Sequence, residues 1–292
     1  MDGVFNVLKP PGMTSHDVIG FLRRVLQTKK IGHGGTLDPD AAGVLPVFAG
    51  TATRLLEFAM EGRKQYIAEF TLGEQRDTGD DSGSVVKTMP VPEITEAGLK
   101  AVLQSFIGPQ MQLPPMYSAV KINGKKLYQL ARQGLEVERQ ARPIEIYRLD
   151  LLNFTPTTFT VAVECSKGTY IRVLGEDIAA ALGTCGTMSF LLRTQVGAYL
   201  LNDAHTLQEI AADPVGCSAE PLSAVAHLPK LTLNGRQAAR ITNGVRTTIR
   251  GTAAGQYALL GPEGEFLGIG TCSEEKIKAD KILAHYKMPE EE

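Results

Sequence analysis

The sequence predicts an α+β fold with a small β-rich module at its C-terminal end. Three observations carry this. Segments that alternate apolar and polar residues recur along the chain, and segments with helical spacing lie between them. Proline and glycine clusters punctuate the junctions. Between about Pro221 and Pro229 the pattern breaks, and the remainder is short and rich in glycine hairpin signals. We therefore divide the chain into residues 1–228 and 229–292. With 292 residues, 43% hydrophobic and 21% charged content, it has the composition of a globular protein with a proper core.

Val4–Leu8 reads as a strand stopped by Lys9-Pro10-Pro11-Gly12. Thr14 and Asp17 stand at capping-box spacing and open a helix whose apolar face is Val18, Phe21, Leu22, Val25 and Leu26. Thr51–Met60 reads as a second helix. Gln65–Leu72 alternates as a strand, with Tyr66, Ala68, Phe70 and Leu72 on one side. Gly73–Gly83 is a polar turn region. Thr95 caps a helix with Leu99, Val102, Leu103 and Phe106 on one face, ended by Gly108-Pro109. Gln112–Lys121 is irregular and proline-rich. Asn123-Gly124 signals a hairpin turn, followed by a helix over about 125–133. Ile144–Phe154 and Thr158–Cys165 alternate like paired strands. A helix with Leu174, Ile178 and Leu182 follows Lys167-Gly168, and Phe190–Gly197 reads as a strand. In the terminal module, Gln256–Leu260 and Glu265–Gly270 flank a Gly-Pro-Glu-Gly turn.

The formal net charge of -2 gives the whole chain no attraction to phosphate, so any nucleic-acid contact must come from a local patch. Lys121, Lys125, Lys126, Arg132, Arg139 and Arg142 form the most basic region and are the candidate phosphate surface. Cys165, Cys185, Cys217 and Cys272 are far apart, with no histidine cluster beside them, and read as free thiols of a reducing cytosol rather than a zinc site. Asp77, Asp80 and Asp81 resemble a calcium loop only loosely, because the glutamate at its twelfth position is missing. There is no phosphate loop and no dinucleotide fingerprint. No bound metal or cofactor is expected. The N-terminus lacks the apolar core of a signal peptide, and no apolar run approaches a membrane span. A cytoplasmic protein without a membrane association is the expectation.

The chain is organised around Ile31–Pro46, which holds four glycines and two prolines and is read as a long loop rather than a helix or central strand. A loop so rich in glycine brings backbone close to something else. Asp38 lies at its middle, and Pro39 pushes it toward extended geometry so that it projects. On spacing alone Asp38 reads equally as a catalytic carboxylate or as an aspartate capping its own turn.

Several motifs in order resemble the TruB family of bacterial tRNA pseudouridine synthases. They are Lys9-Pro10-Pro11-Gly12-Met13-Thr14-Ser15-His16-Asp17; His33-Gly34-Gly35-Thr36-Leu37-Asp38-Pro39 with Ala42-Gly43-Val44-Leu45-Pro46; Lys64-x-Tyr66; Asp77-Thr78-Gly79-Asp80; Pro114-Pro115-x-Tyr117-Ser118-Ala119-x-Lys121; and Ser166-Lys167-Gly168-Thr169-Tyr170-Ile171-Arg172. The match spans roughly residues 1–230. Gly35 stands where the family often carries alanine, a small residue in either case.

The resemblance implies a mixed, mainly antiparallel sheet with flanking helices, a catalytic loop crossing a cleft, and a PUA-like RNA-binding module at residues 229–292. It implies conversion of uridine to pseudouridine at position 55 in the T-loop of tRNA, in a monomer with no obligate protein partner that grips the T-loop and stem. Asp38 would be the catalytic aspartate and Arg172 its partner. Tyr66 would stack on the base, Tyr170 and Leu191 would line the pocket, and His33 would hold the T-loop with the nucleotide extruded.

The residues by themselves leave alternatives. Tyr66 shares its side with Ala68 and Phe70, as a core tyrosine would. Arg172 stands at i,i+4 spacing from Glu176, as in a surface pair. Leu191 is ordinary core by composition. Asp38 and Asp40 could form the carboxylate pair of a glycoside hydrolase, and a non-catalytic tRNA-binding or folding factor would carry the same basic patch. Asp38 itself could attack a base ring carbon, attack the anomeric carbon, or remove a sugar proton.

Overall fold

The structure, a computed structural model, describes residues 1–60, 62–118, 120–122, 124–131 and 133–287. The chain opens with β1 (Gly3–Lys9), α1 (Ser15–Val25), β2 (Ile31–His33) and β3 (Ala42–Ala49). A 3-10 helix over Gly50–Leu55 and the single turn α2 (Leu56–Ala59) lead to β4 (Lys64–Leu72). The hairpin β5 (Glu74–Arg76) and β6 (Val85–Thr88), α3 (Glu96–Ser105) and β7 (Gly108–Gln112) come next. A small hairpin, β8 (Lys121–Ile122) and β9 (Lys125–Lys126), runs into α4 (Leu127–Ala131). Then follow β10 (Arg142–Phe154), β11 (Thr158–Cys165), α5 (Ile171–Ala181), β12 (Gly186–Val196), β13 (Tyr199–Leu200), α6 (Leu207–Ala212) and β14 (Ser218–Ala219). The terminal elements are β15 (Lys230–Thr232), α7 (Gly235–Thr242), β16 (Thr247–Thr248), β17 (Gly255–Leu260), β18 (Phe266–Ser273) and β19 (Lys276–Ile282).

Ten strands form one sheet in the order β14-β1-β3-β12-β4-β11-β10-β7, with β2 on β3 and β13 on β12. Only the β3–β12 pairing within it is parallel, so the sheet is mixed and mainly antiparallel, in an α+β fold. A second sheet runs β15-β17-β18-β19-β16. Among the described residues no helix is long and apolar enough to cross a membrane.

Three expectations are corrected. The stretch Ile31–Pro46 is not one long loop: its ends are β2 and β3, and β3 lies inside the large sheet. Pro46 is tolerated there because its β1 partner, Asn6, gives its carbonyl to His205 instead, and β3 is passing from β12 on to β2 at that point. The span 51–60 is not one α-helix: it begins as 3-10 helix, Gly50–Leu55, and only Leu56–Ala59 is α. The helix expected over 125–133 is only Leu127–Ala131, since Lys125 and Lys126 pair with β8. Of the expected basic patch, Arg132 and the side chains of Lys121 and Lys126 lie outside the described residues. Of the rest, Lys125 and Arg142 are exposed, while Arg139 donates to the Pro114 carbonyl at 3.0 Å. Asn123, and with it the expected Asn123-Gly124 turn, lies outside the described residues too.

The cores follow from the alternation. One face of β4, β11 and β10 buries Phe70, Phe159, Val161 and Ile146 against Leu99 and Leu103 of α3 and Leu174 and Ile178 of α5. Each such side chain contributes about 1.5–3 kcal/mol of transfer free energy. Gly175 is required for this packing, because a Cβ there would lie 2.0 Å from the Phe70 ring. The close approach seats α5, and with it Arg172. A second core packs α1 and α6 on β1 and β3. A third joins the two sheets, with Val4, Phe48, Leu55 and Val225 against Ala258 and Ile269. Lys281 pairs with Glu57 at 2.8 Å across the same junction.

Candidate active site

Asp38 sits on the turn between β2 and β3, and that turn is held by residues far from it in sequence. Lys9, at the end of β1, is wholly buried and donates to three carbonyls: Pro10 at 2.9 Å, Pro39 at 2.9 Å and Ala41 at 2.7 Å. Ser15, in the first turn of α1, exchanges hydrogen bonds with Leu37, accepting from its N–H at 2.9 Å and donating to its carbonyl at 3.1 Å. Arg193, on β12 and only 1% exposed, donates to the carbonyls of Val44 (2.8 Å), Thr36 (3.3 Å) and Gly35 (3.0 Å). Gly43 makes this approach possible: its φ is +113°, and a Cβ there would lie 2.2 Å from the Arg193 carbonyl oxygen. The glycine-rich stretch does bring backbone against backbone, as expected. Gly35 also has positive φ (+88°), a conformation that alanine adopts only with strain.

Arg172, in the first turn of α5, meets Asp38 with two nitrogens. Its Nε lies 3.1 Å from Oδ2, and its Nη2 donates to Oδ1 at 3.3 Å. The same guanidinium donates to the carbonyls of Thr78 (2.6 Å) and Tyr117 (2.9 Å) and approaches Asp80 Oδ2 at 3.5 Å. Its side chain is 7% exposed against 33% for Asp38. The alternative of a surface pair with Glu176 is thereby removed. Asp40, the suggested second carboxylate, is exposed and lies outside the cavity wall, whereas Asp80 lines it.

The cavity beside Asp38 has a volume of about 740 Å³, within the usual range for a small-molecule site. Every predicted site residue lines it: Asp38, His33, Tyr66, Tyr170, Arg172 and Leu191. Tyr66 on β4 and Leu191 on β12 are each 7% exposed and belong to the main core as well, so the two readings of each meet. Tyr170 precedes α5, and its backbone is fixed by buried Gln112, which accepts from its N–H at 2.8 Å and donates to its carbonyl at 3.1 Å. His33 lies edge-on to His16, with ring centroids 6.3 Å apart.

Burial dominates the electrostatics. Removal from water raises the Asp38 carboxyl above its ordinary value, Arg172 opposes this, and Asp80 adds to it. Burial pushes the Tyr66 phenol up to about 12, against the nearby charge of Arg193. Burial lowers Lys9 to about 8, against the pull of Asp40 and Asp38. Lys64, on the cavity wall, is also lowered to about 8 by burial and by Arg193. The arrangement can hold a carboxylate ionised beside a flat, mostly apolar guest. Asp77, Asp80 and Asp81 do not converge as a calcium loop would, because Thr78, Ser84, Arg76 and Arg172 take them up.

Sequence reasoning missed Lys9, Ser15, Gln112 and Arg193 as supports. The available signals were a lysine closing an apolar strand and an arginine inside one, each too buried by context to be a surface charge.

The profile of the TruB family pseudouridylate synthase N-terminal domain matches residues 23–171, and that of the tRNA pseudouridylate synthase B C-terminal domain matches residues 172–222. The second sheet lies beyond both. Curated relatives include tRNA pseudouridine synthase B of Symbiobacterium thermophilum, 48% identical over 86% of this chain and 84% of its own. The protein of that name from Caldanaerobacter subterraneus is 44% identical over 97% of this chain and 99% of its own. Among solved structures, a chain of a Cbf5-Nop10-Gar1 complex superposes with a TM-score of 0.76 at 25% identity, over 98% of this chain and 87% of that one.

Proposed function

The chain belongs to the TruB family of pseudouridylate synthases and forms pseudouridine in tRNA, and from that premise we propose that its target is the uridine at position 55 of the T-loop, with Asp38 as the catalytic carboxylate. The observation that carries this reading is the two-nitrogen contact of Arg172 with Asp38 at the wall of a nucleoside-sized cavity.

The chemistry explains why such a contact is needed. The product is an isomer of the substrate: the N–C glycosidic bond breaks, the base turns, and a C–C bond forms in its place. Each route open to Asp38, as nucleophile or as base, starts from the ionised carboxylate. Burial disfavours that form, and a base filling the cavity would remove the solvent that still reaches Asp38. Arg172 then supplies the compensating charge, at fixed geometry, because its other donors are tied to the carbonyls of Thr78 and Tyr117.

A base must leave its stack to enter, at a cost of a few kcal/mol. Stacking on an aromatic ring offsets about 1–3 kcal/mol of this. Tyr66 is assigned that role, with Tyr170 and Leu191 as the remaining wall and His33 as a contact to the T-loop. We assign residues 1–228 to catalysis and residues 229–292 to a PUA-like RNA-binding module.

The test is incubation of unmodified tRNA with the protein, followed by carbodiimide mapping. One pseudouridine in the T-loop is expected. Release of free uracil would mark a hydrolase instead, and a modified uridine elsewhere would refute the assigned target.

A further inference from the structure

Among the described residues, Lys64 is the one lysine or arginine of the cavity wall that the mechanism above does not use. It is the first residue of β4, paired with Cys165 of β11 and Val196 of β12. Strand alternation puts it on the face of Tyr66, while its neighbours Arg63 and Gln65 turn to the other face and take up Glu164 there. The ammonium reaches the loop that carries Asp38: its Nζ is 3.3 Å from where a Cβ on Gly35 would stand. Among the described residues no carboxylate pairs with Lys64 and no hydrogen bond is made by its Nζ. The charges that act on it are Arg193 and Lys167, both of its own sign, and the Cys165 thiol, which burial holds neutral with a pKa of about 11.

A partly buried lysine among cations is unfavourable unless an anion arrives. The cavity wall is thus divided by charge, with Asp38 and Asp80 at Arg172 and, elsewhere on it, Lys64, on which Arg193 and Lys167 act from behind the wall. A nucleotide is divided in the same way, into a neutral base and a charged phosphate. We propose that Lys64 receives a backbone phosphate next to the extruded nucleotide, so that it fixes the nucleotide by its phosphate while Tyr66 and Asp38 engage the base and sugar. A base carbonyl would hydrogen-bond the ammonium but would leave the like charges uncompensated. This inference rests on the T-loop reading above.

The experiment measures binding of a T-arm hairpin RNA in the Asp38→Asn background, so that the RNA stays unreacted. Lys64→Met and Lys64→Arg are compared with the parent across salt concentrations, and with RNAs whose flanking phosphates are replaced one at a time by neutral methylphosphonate. Lys64→Met is expected to bind roughly fivefold more weakly at 0.1 M salt, with the salt slope of log K reduced by about 0.7, the value for one single-strand phosphate contact. One methylphosphonate should weaken the parent by a similar factor and leave Lys64→Met unaffected, and Lys64→Arg should keep the parental slope. The thermal midpoint of Lys64→Met should equal or exceed that of the parent, which separates lost contact from lost fold. An unchanged slope, or the same methylphosphonate profile in parent and Lys64→Met, overturns the proposal. Failure of the parent itself to bind the hairpin would remove the T-loop reading, and this inference with it.

Discussion

Asp38 and Asp80 reach the same guanidinium from two loops that are held in opposite ways. The loop between β5 and β6 is held largely by its own side chains, although its Gly79 and Thr78 carbonyls also accept from the Met188 N–H and from Arg172. Thr78 and Ser82 donate to Asp80, Asp77 accepts from the Ser84 N–H at 2.9 Å, and Arg76 donates to the Gly83 carbonyl at 2.9 Å. The loop that carries Asp38 has almost no such internal bonds. Its carbonyls are taken instead by Lys9, Ser15 and Arg193, from a strand and a helix before it and a strand more than 150 residues after it. The difference teaches where the geometry of each carboxylate is decided. Asp80 is placed mainly by its neighbours in sequence, with ties to Met188 of β12 and to Arg172, and Asp38 almost wholly by the assembled sheet.

If that contrast is right, distant substitutions should damage Asp38 far more than local ones damage Asp80. The largest effect is expected for Arg193→Met and Lys9→Met. Each leaves buried carbonyls without donors, at about 1–3 kcal/mol, and lets the loop shift. A displacement on the scale of 1 Å lowers turnover about 100-fold. Single-turnover rates and urea unfolding check both numbers, and unchanged turnover would break the contrast. Tyr66 is tied to the same frame through Arg193. Tyr66→Leu should lose at least about tenfold in kcat/KM, as expected for a lost stacking partner, whereas Tyr66→Phe, which keeps the ring, should lose much less. Equal losses would remove stacking as the main role of this side chain.

The pH profile sharpens the comparison further. Burial and Asp80 both raise Asp38, so the carboxylate needed for reaction forms only at higher pH than usual. The acid limb of kcat/KM, which reports the free enzyme, should therefore lie above the ordinary range of an aspartate carboxyl. Asp80→Asn should move that limb to lower pH. A shift upward would show that Asp80 does not act on Asp38 as a like charge. The smallest effect is expected from Thr78→Val. It removes the hydroxyl that bonds only to Asp80, within a loop that keeps its other bonds, and should cost about 1 kcal/mol of stability while leaving turnover within about threefold.

The same contrast explains what could be read from the sequence. The capping box of Thr14 and Asp17 and the alternation that buries Phe70 and Phe159 depend on near neighbours, and both were legible. Asp38, Tyr66 and Arg172 could be assigned together only through a family resemblance, because nothing local joins residues 38 and 172. The glycine stretch misled in one respect. Gly43 and Pro46 look like loop residues, yet they lie in β3, since a strand neighbour there comes too close for a side chain and no partner demands the missing N–H. Arg193 was invisible as a support because its role is set by backbone carbonyls, which carry no sequence signature.

The account is tested most directly by single-turnover pseudouridine formation on tRNA with Asp38→Asn at saturating protein. The expected result is loss of product formation by at least about three orders of magnitude, with the affinity for tRNA held within about threefold. Product formation by Asp38→Asn at a rate near that of the unaltered protein would contradict it.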